Sequence, residues 1–162
     1  MEKYQVRDLS LAPSGHRKIQ WVRDNMPLLR GLEDEFIKTR PFEGIKISLS
    51  VHLEAKTAYL CLVLAAGGAD MSVTGSNVLS TQDDVAAALA DSGLKVYAYH
   101  GATQEEYDRH IEMCLSHKPN IIIDDGADLV TFLHDKWKKS GEDARRRPPE
   151  SYVLRLWKEK VF

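Results

Sequence analysis

The sequence predicts an α/β domain: an open, mostly parallel sheet with helices on both faces, in three layers. Three observations lead there. Short β-type runs at 46–52, 70–74, 95–100 and 120–124 alternate with helical patterns at 53–66, 82–91, 103–117 and 127–139. Strand and helix at this spacing imply right-handed crossovers between parallel strands. The β-type runs are nearly continuous in apolar character, as expected of strands covered on both faces. Finally, the polar residues gather just after the strands, at the edge where open sheets of this kind hold ligands.

The elements follow in chain order. Residues 1–15 read as irregular, with Pro13-Ser14-Gly15 as a stop. From His16 to Thr39, Ile19, Val22, Met26, Leu29, Leu32 and Phe36 recur at steps of three or four, a helical pattern. Pro27 should bend or divide it. The first strand then ends at His52, the second in Thr74-Gly75-Ser76-Asn77, the third in Tyr99-His100-Gly101 and the fourth in Asp124-Asp125-Gly126-Ala127-Asp128. Past 140, Pro148-Pro149 marks a linker, and Val153, Leu154, Trp157 and Val161 share one face of a short amphipathic helix. The expected organisation is one domain over 1–140 and a divergent tail over 141–162.

Composition bounds the function. The chain has 162 residues, 43% hydrophobic and 28% charged, with net charge −2 and no long basic run, which speaks against a general nucleic-acid grip. No apolar stretch is long enough for a membrane helix. Cys61 and Cys114 fall inside helical patterns and read as core thiols of a cytoplasmic protein. Gly67-Gly68 lacks the spacing of a dinucleotide loop, and no spaced His/Asp cluster supports a metal.

The candidate site residues each have a plainer reading. Ser80 or Thr81 suits an N-cap for the helix beginning near 82. Asp124-Asp125-Gly126 suits a turn and a cap, with Gly126 as the permissive backbone position. Yet adjacent carboxylates leaving a buried strand are costly unless something pairs with them. Asp125 is favoured for function, and Asp124 and Asp128 for structure. Glu54 and Lys56 could form a local salt bridge on an exposed turn, worth roughly 0–1 kcal/mol. His16, His100, His110, His117 and His134 read as surface or capping residues. His52 stands apart because Glu54, Lys56 and Asp125 should converge near it.

From Tyr4 to about Lys138 the sequence resembles the N-terminal part of S-adenosyl-L-homocysteine hydrolases. The resemblance is carried by Val6-Arg7-Asp8-Leu9-Ser10-Leu11-Ala12, by Met26-Pro27-Leu28-Leu29 and by His52 with Thr57-Ala58. It continues through Asn77-Val78-Leu79-Ser80-Thr81-Gln82-Asp83, Glu105-Glu106-Tyr107 and Ile122-Ile123-Asp124-Asp125-Gly126-Ala127-Asp128-Leu129. It implies a substrate-binding domain that is followed, in the family, by a Rossmann domain holding NAD. It also implies hydrolysis of a nucleoside–homocysteine thioether by 3′-oxidation, elimination of homocysteine and addition of water. His52 and Asp125 match positions that handle protons at the ribose. Glu54, Lys56, Thr57, Ser80 and Gln82 match substrate-binding positions.

Two departures from the family pattern matter. After the histidine the family has Met-Thr-x-Glu, whose Thr and Glu read adenine; here Glu54 and Lys56 stand at those places. Hypoxanthine presents N1–H and a 6-carbonyl where adenine presents N1 and an amine, so a carboxylate and an ammonium match the reversed edge. Archaeal-type relatives associated with S-inosyl-L-homocysteine look like this. The tail over 141–162 does not follow the family motifs, and no NAD domain is seen in the chain. The resemblance therefore implies a chain inactive alone, binding a nucleoside or its homocysteine thioether. Its partners would be a chain with the NAD domain or further copies of itself. The other reading is a stand-alone nucleoside-binding or interaction module without catalysis.

Overall fold

The computed structural model describes residues 3–139. The tail expected over 141–162 lies outside them. Five strands form one sheet: β1 (Tyr4–Gln5), β2 (Lys46–Ser50), β3 (Asp70–Thr74), β4 (Lys95–Tyr97) and β5 (Ile121–Asp124). They lie side by side as β1-β4-β3-β2-β5, and every pairing is parallel. The helices are α1 (Ala12–Asn25), α2 (Pro27–Thr39), α3 (Ala55–Ala66), α4 (Asp83–Asp91), α5 (Gln104–Leu115) and α6 (Asp128–Lys139).

Helices cover both faces. Ile47, Leu49, Met71, Val73 and Val96 point toward α3 and α4. Tyr97 belongs to the opposite cluster, with Ile111, Cys114 and Leu115 of α5 and Leu129 of α6. The α3–α4 side is two helices deep, because α1 packs chiefly on α4 and α3, and α2 on α3. That explains why α3 is apolar nearly all round: it is covered from both sides. Even its tyrosine is buried; the Tyr59 hydroxyl donates to Glu33 Oε2 at 2.8 Å, and Arg23 Nε stands 3.0 Å from the same carboxylate oxygen. Burial and that carboxylate push the Tyr59 hydroxyl up to about 12.

The N-terminal segment departs from expectation. Residues 4–5 are an edge strand paired with β4, a 3₁₀ turn spans Leu9–Leu11, and α1 runs straight through Pro13 and Gly15. Proline in the first helical turn costs nothing, since the missing N–H has no partner there anyway. Gly15 is there because α1 lies against the α4 backbone: a Cβ at this position would sit 1.9 Å from the Asp84 carbonyl oxygen. The break at Pro27 is as expected, with Met26 between two helices.

The strands are also less uniformly apolar than expected. On β2 and β3, Ser48, Ser50, Ser72 and Thr74 alternate with the aliphatic residues, and all four are buried. Ser48 Oγ donates to the Cys114 carbonyl at 2.8 Å, and Thr74 Oγ1 to the Tyr97 carbonyl at 2.8 Å. Both cysteines are free and buried as expected, and burial pushes the Cys114 thiol up to about 11.

The histidines are more engaged than the sequence suggests. His16 pairs with Asp91 at 2.8 Å, and His117 lies within 3.3 Å of the Asp70 carbonyl. His110 is 2% exposed and stacks edge-on against Tyr99, at 4.8 Å between centroids. Its Nε2 is buried without a hydrogen-bond partner.

Two predictions follow from this packing. Gly15→Ala should cost about 2 kcal/mol or more, read as a fall in the midpoint of thermal unfolding, because backbone stands in the way. Burial depresses the basicity of His110 and His117, so the unfolded chain takes up their protons first as pH falls. The stability they give is complete above about pH 6.5 and is lost as pH drops through their folded values. Denaturant midpoints measured from about pH 7.5 to about pH 5 should therefore fall, and His110→Phe should flatten the slope. An unchanged slope in that variant would rule His110 out as the source.

Candidate functional site

Three strands deliver the candidate residues to one edge. Beyond β2, β3 and β5 the chain ends are stitched together by backbone bonds. Ser76 N–H donates to the Val51 carbonyl at 3.3 Å, Gln82 N–H to Leu53 at 3.0 Å, and Asp125 N–H to Ser50 at 3.2 Å. Gly75 lets the segment after β3 fold back, since a Cβ there would lie 2.6 Å from Thr81 Oγ1.

His52 is exposed, and its Nδ1 lies 2.6 Å from Ser80 Oγ. The Ser80 hydroxyl donates to the Asn77 carbonyl at 3.1 Å. When that proton goes to Asn77, Ser80 Oγ is left to accept from His52, and the imidazole hydrogen then belongs on Nδ1. The neutral ring then presents Nε2 as a lone pair. The serine expected to cap α4 instead orients a histidine, and Gln82 occupies the N-cap with no side-chain capping bond.

Glu54 takes the N-cap of α3, its Oε1 accepting from Thr57 N–H at 3.3 Å. No ion pair joins Glu54 to Lys56 among the described residues, so the local salt bridge is not formed. Lys56 is exposed, and Thr57 is buried. Both line a cleft of about 500 Å³ whose other wall is apolar, from Met26, Leu29 and Leu32.

At the end of β5 the two aspartates differ. Asp124 Oδ2 accepts from Val130 N–H at 3.1 Å and so holds the start of α6. Burial raises its pKa above the usual carboxylate value, making it a weaker acid, and the nearby Asp128 carboxylate adds to the effect. Asp128 accepts from the Tyr107 hydroxyl at 2.9 Å. Asp125 is exposed, and among the described residues its side chain has no hydrogen bond or ion pair. The left-handed residue of this turn is Ala127, with φ 63°, and not Gly126.

The structure thus joins His52 to Ser80 directly and ties Asp125 to the same edge through Ser50. Gln82 is tied to Leu53 by its backbone, while its side chain turns to Lys18 on α1. Glu54, Lys56 and Thr57 form the adjoining first turn of α3. Asn77 was expected at this edge, though not for its backbone carbonyl, and Lys18 was missed: a residue some sixty positions distant leaves no local pattern. Gly67-Gly68 lies between α3 and β3, at the opposite edge of the sheet, and does not fit a pyrophosphate loop. Among the described residues no group of three or more His, Cys, Asp or Glu is arranged to hold a metal, and no helix is long and apolar enough to cross a membrane.

The family model described as S-adenosyl-L-homocysteine hydrolase matches residues 3–160, beyond the point where the motifs give out. An S-inosyl-L-homocysteine hydrolase of Methanopyrus kandleri is 49% identical over 140 residues, 86% of this chain and 33% of the relative. One from Methanocaldococcus jannaschii is 52% identical over 133 residues, 82% of this chain and 32% of the relative. An adenosylhomocysteinase of Pyrococcus abyssi is 52% identical over 136 residues, 84% of this chain and 32% of the relative. The chain thus spans about a third of the length of these curated relatives.

The imidazole assignment can be checked alone. Nitrogen NMR of His52 should show the hydrogen on Nδ1 in the neutral ring. Ser80→Ala should shift the population toward the Nε2–H tautomer, which predominates in free imidazoles of this kind. An Nε2–H ring in the unmodified protein would show that Ser80 does not set the tautomer.

Proposed function

The chain belongs to the S-adenosyl-L-homocysteine hydrolase family, and we propose that its described residues form the nucleoside-binding part of such a hydrolase, with proton-handling groups at His52 and Asp125. The observation that carries this reading is the chain from His52 through Ser80 to the Asn77 carbonyl. With Nδ1–H turned to Ser80, Nε2 of this exposed imidazole faces outward, where it can accept a proton from a ribose hydroxyl or from water. Asp125 supplies an uncommitted carboxylate at the neighbouring strand end.

The reaction proposed is cleavage of the thioether of S-adenosyl- or S-inosyl-L-homocysteine to nucleoside and homocysteine. NAD is the cofactor the resemblance implies, and it supplies oxidation at the ribose. No residue among those described is assigned to it. Turnover is therefore expected only together with the further two-thirds that the relatives possess, in the same polypeptide or a second one.

Base choice is read from Glu54 and Lys56. Glu54 Oε1 caps α3, and its second oxygen remains for a donor such as N1–H. Lys56 stands two residues on at the rim of the cleft, suited to a 6-carbonyl. Relatives bearing both the inosyl and the adenosyl name are about equally similar, so the argument rests on these two side chains.

Calorimetry with inosine, adenosine and their homocysteine thioethers tests the reading. Inosine-type ligands should bind about tenfold more tightly or better, since each polar group that the bound base covers without pairing costs about 1–3 kcal/mol. Glu54→Thr with Lys56→Glu should turn the preference toward adenosine; threonine also caps helices, so the fold should survive. His52→Ala should weaken both ligands and leave the preference unchanged. Equal binding of the two nucleosides at a site containing Lys56 defeats the base assignment. Binding of none of the four ligands defeats the nucleoside site and favours an interaction module.

A further inference from the structure

Lys18 lies on α1, outside the strand-edge segments that make the candidate site. Its ammonium nevertheless reaches the segment leading into α4. Nζ donates to Gln82 Oε1 at 2.9 Å and to Asp84 Oδ1 at 2.9 Å, with Asp84 Oδ2 at 2.8 Å. Ser14 Oγ, one turn earlier, donates to Asp84 Oδ2 at 2.8 Å. Between them Gly15 brings α1 so close that its missing Cβ would overlap the Asp84 carbonyl. Burial opposes ionisation of Asp84, but the bonds from Lys18 and Ser14 outweigh it and hold its carboxyl below the ordinary value.

The oxygen of a glutamine amide accepts hydrogen bonds and its NH₂ donates them, and an ammonium can only donate. Lys18 therefore selects the Gln82 oxygen and leaves the NH₂ end, with two donors, for whatever binds at the edge. The Gln82 backbone is already anchored to Leu53, next to His52. We propose that Lys18 is a positioning residue that fixes the Gln82 side-chain amide as a hydrogen-bond donor toward an acceptor oxygen or nitrogen of the bound nucleoside. This rests on the nucleoside reading of the site and names how one of its binding groups is oriented. A surface ion pair with Asp84 alone would stabilise α1 against α4 and leave the amide free to turn.

The test uses the full 162-residue chain. In the first arm, nitrogen relaxation of the Gln82 side-chain amide should report an ordered group, with an order parameter of about 0.8. It should fall below about 0.6 in Lys18→Met and stay high in Lys18→Arg. In the second arm, Lys18→Met should weaken inosine binding about fivefold, the equivalent of one hydrogen bond. Lys18→Arg should restore most of that loss. In a Gln82→Leu background, Lys18→Met should have no further effect, because the two act as one unit. Thermal unfolding of each variant identifies any that fails to fold, and Lys18→Arg keeps the charge where Lys18→Met does not. An amide equally ordered without Lys18 overturns the proposal, as does a Lys18→Met loss that persists in the Gln82→Leu background. If the unmodified chain binds no inosine, the nucleoside reading fails, and the relaxation arm still decides whether Lys18 sets the amide.

Discussion

Ser50 pairs with Thr74 on one side and with Asp124 on the other, so three parallel strands stop at one height. Everything at the site hangs from that register. His52, Ser76 and Asp125 each leave the sheet one or two residues past the same line, and backbone bonds from Ser76 to Val51 and from Asp125 to Ser50 join these chain ends before any side chain is considered. A slip of one residue in β2 would turn Ile47 and Leu49 out of the core and carry His52 to the other face. The aliphatic residues on the α3–α4 side therefore fix the position of an exposed histidine with which they make no polar contact.

The α1–α2 layer extends this control. α1 does not cover the sheet; it presses on α4 through Gly15 and grips Asp84 and Gln82 through Ser14 and Lys18. The site is thus held from two directions: from within by strand register, and from outside by a helix that contributes no residue to the strand edge. The buried Tyr59–Glu33 pair, with Arg23 beside it, fastens that outer layer to α3, whose first turn carries Glu54 and Lys56.

Much of this was legible in the sequence because the long elements are strongly patterned. The strand–helix alternation, the break at Pro27 and the gathering of polar residues after the strands all reflect local periodicity. What failed to show was set by tertiary contact. Tyr4-Gln5 is too short for a pattern and is a strand only because β4 lies beside it. Pro13 and Gly15 look like a stop until a neighbouring helix explains the glycine. Ser80 has the chemistry of a cap, but Asn77 and His52 compete for its hydroxyl and win. At the turn before α6 the left-handed conformation falls on Ala127 rather than the adjacent glycine, which the residue types alone do not foretell. His110 is polar by type and buried by position, and nothing in its own neighbourhood of sequence distinguishes those cases.

The hydroxyl-paved side of β2 and β3 has a thermodynamic consequence. Exposing aliphatic surface on unfolding raises the heat capacity, whereas exposing polar surface lowers it. Ser48, Ser50, Ser72 and Thr74 replace four aliphatic side chains in the middle of a fully covered sheet. The unfolding heat capacity is accordingly smaller than that of an all-aliphatic sheet of the same size. The curve of stability against temperature is flatter, and the chain loses less of its folding free energy on moving away from its temperature of greatest stability in either direction.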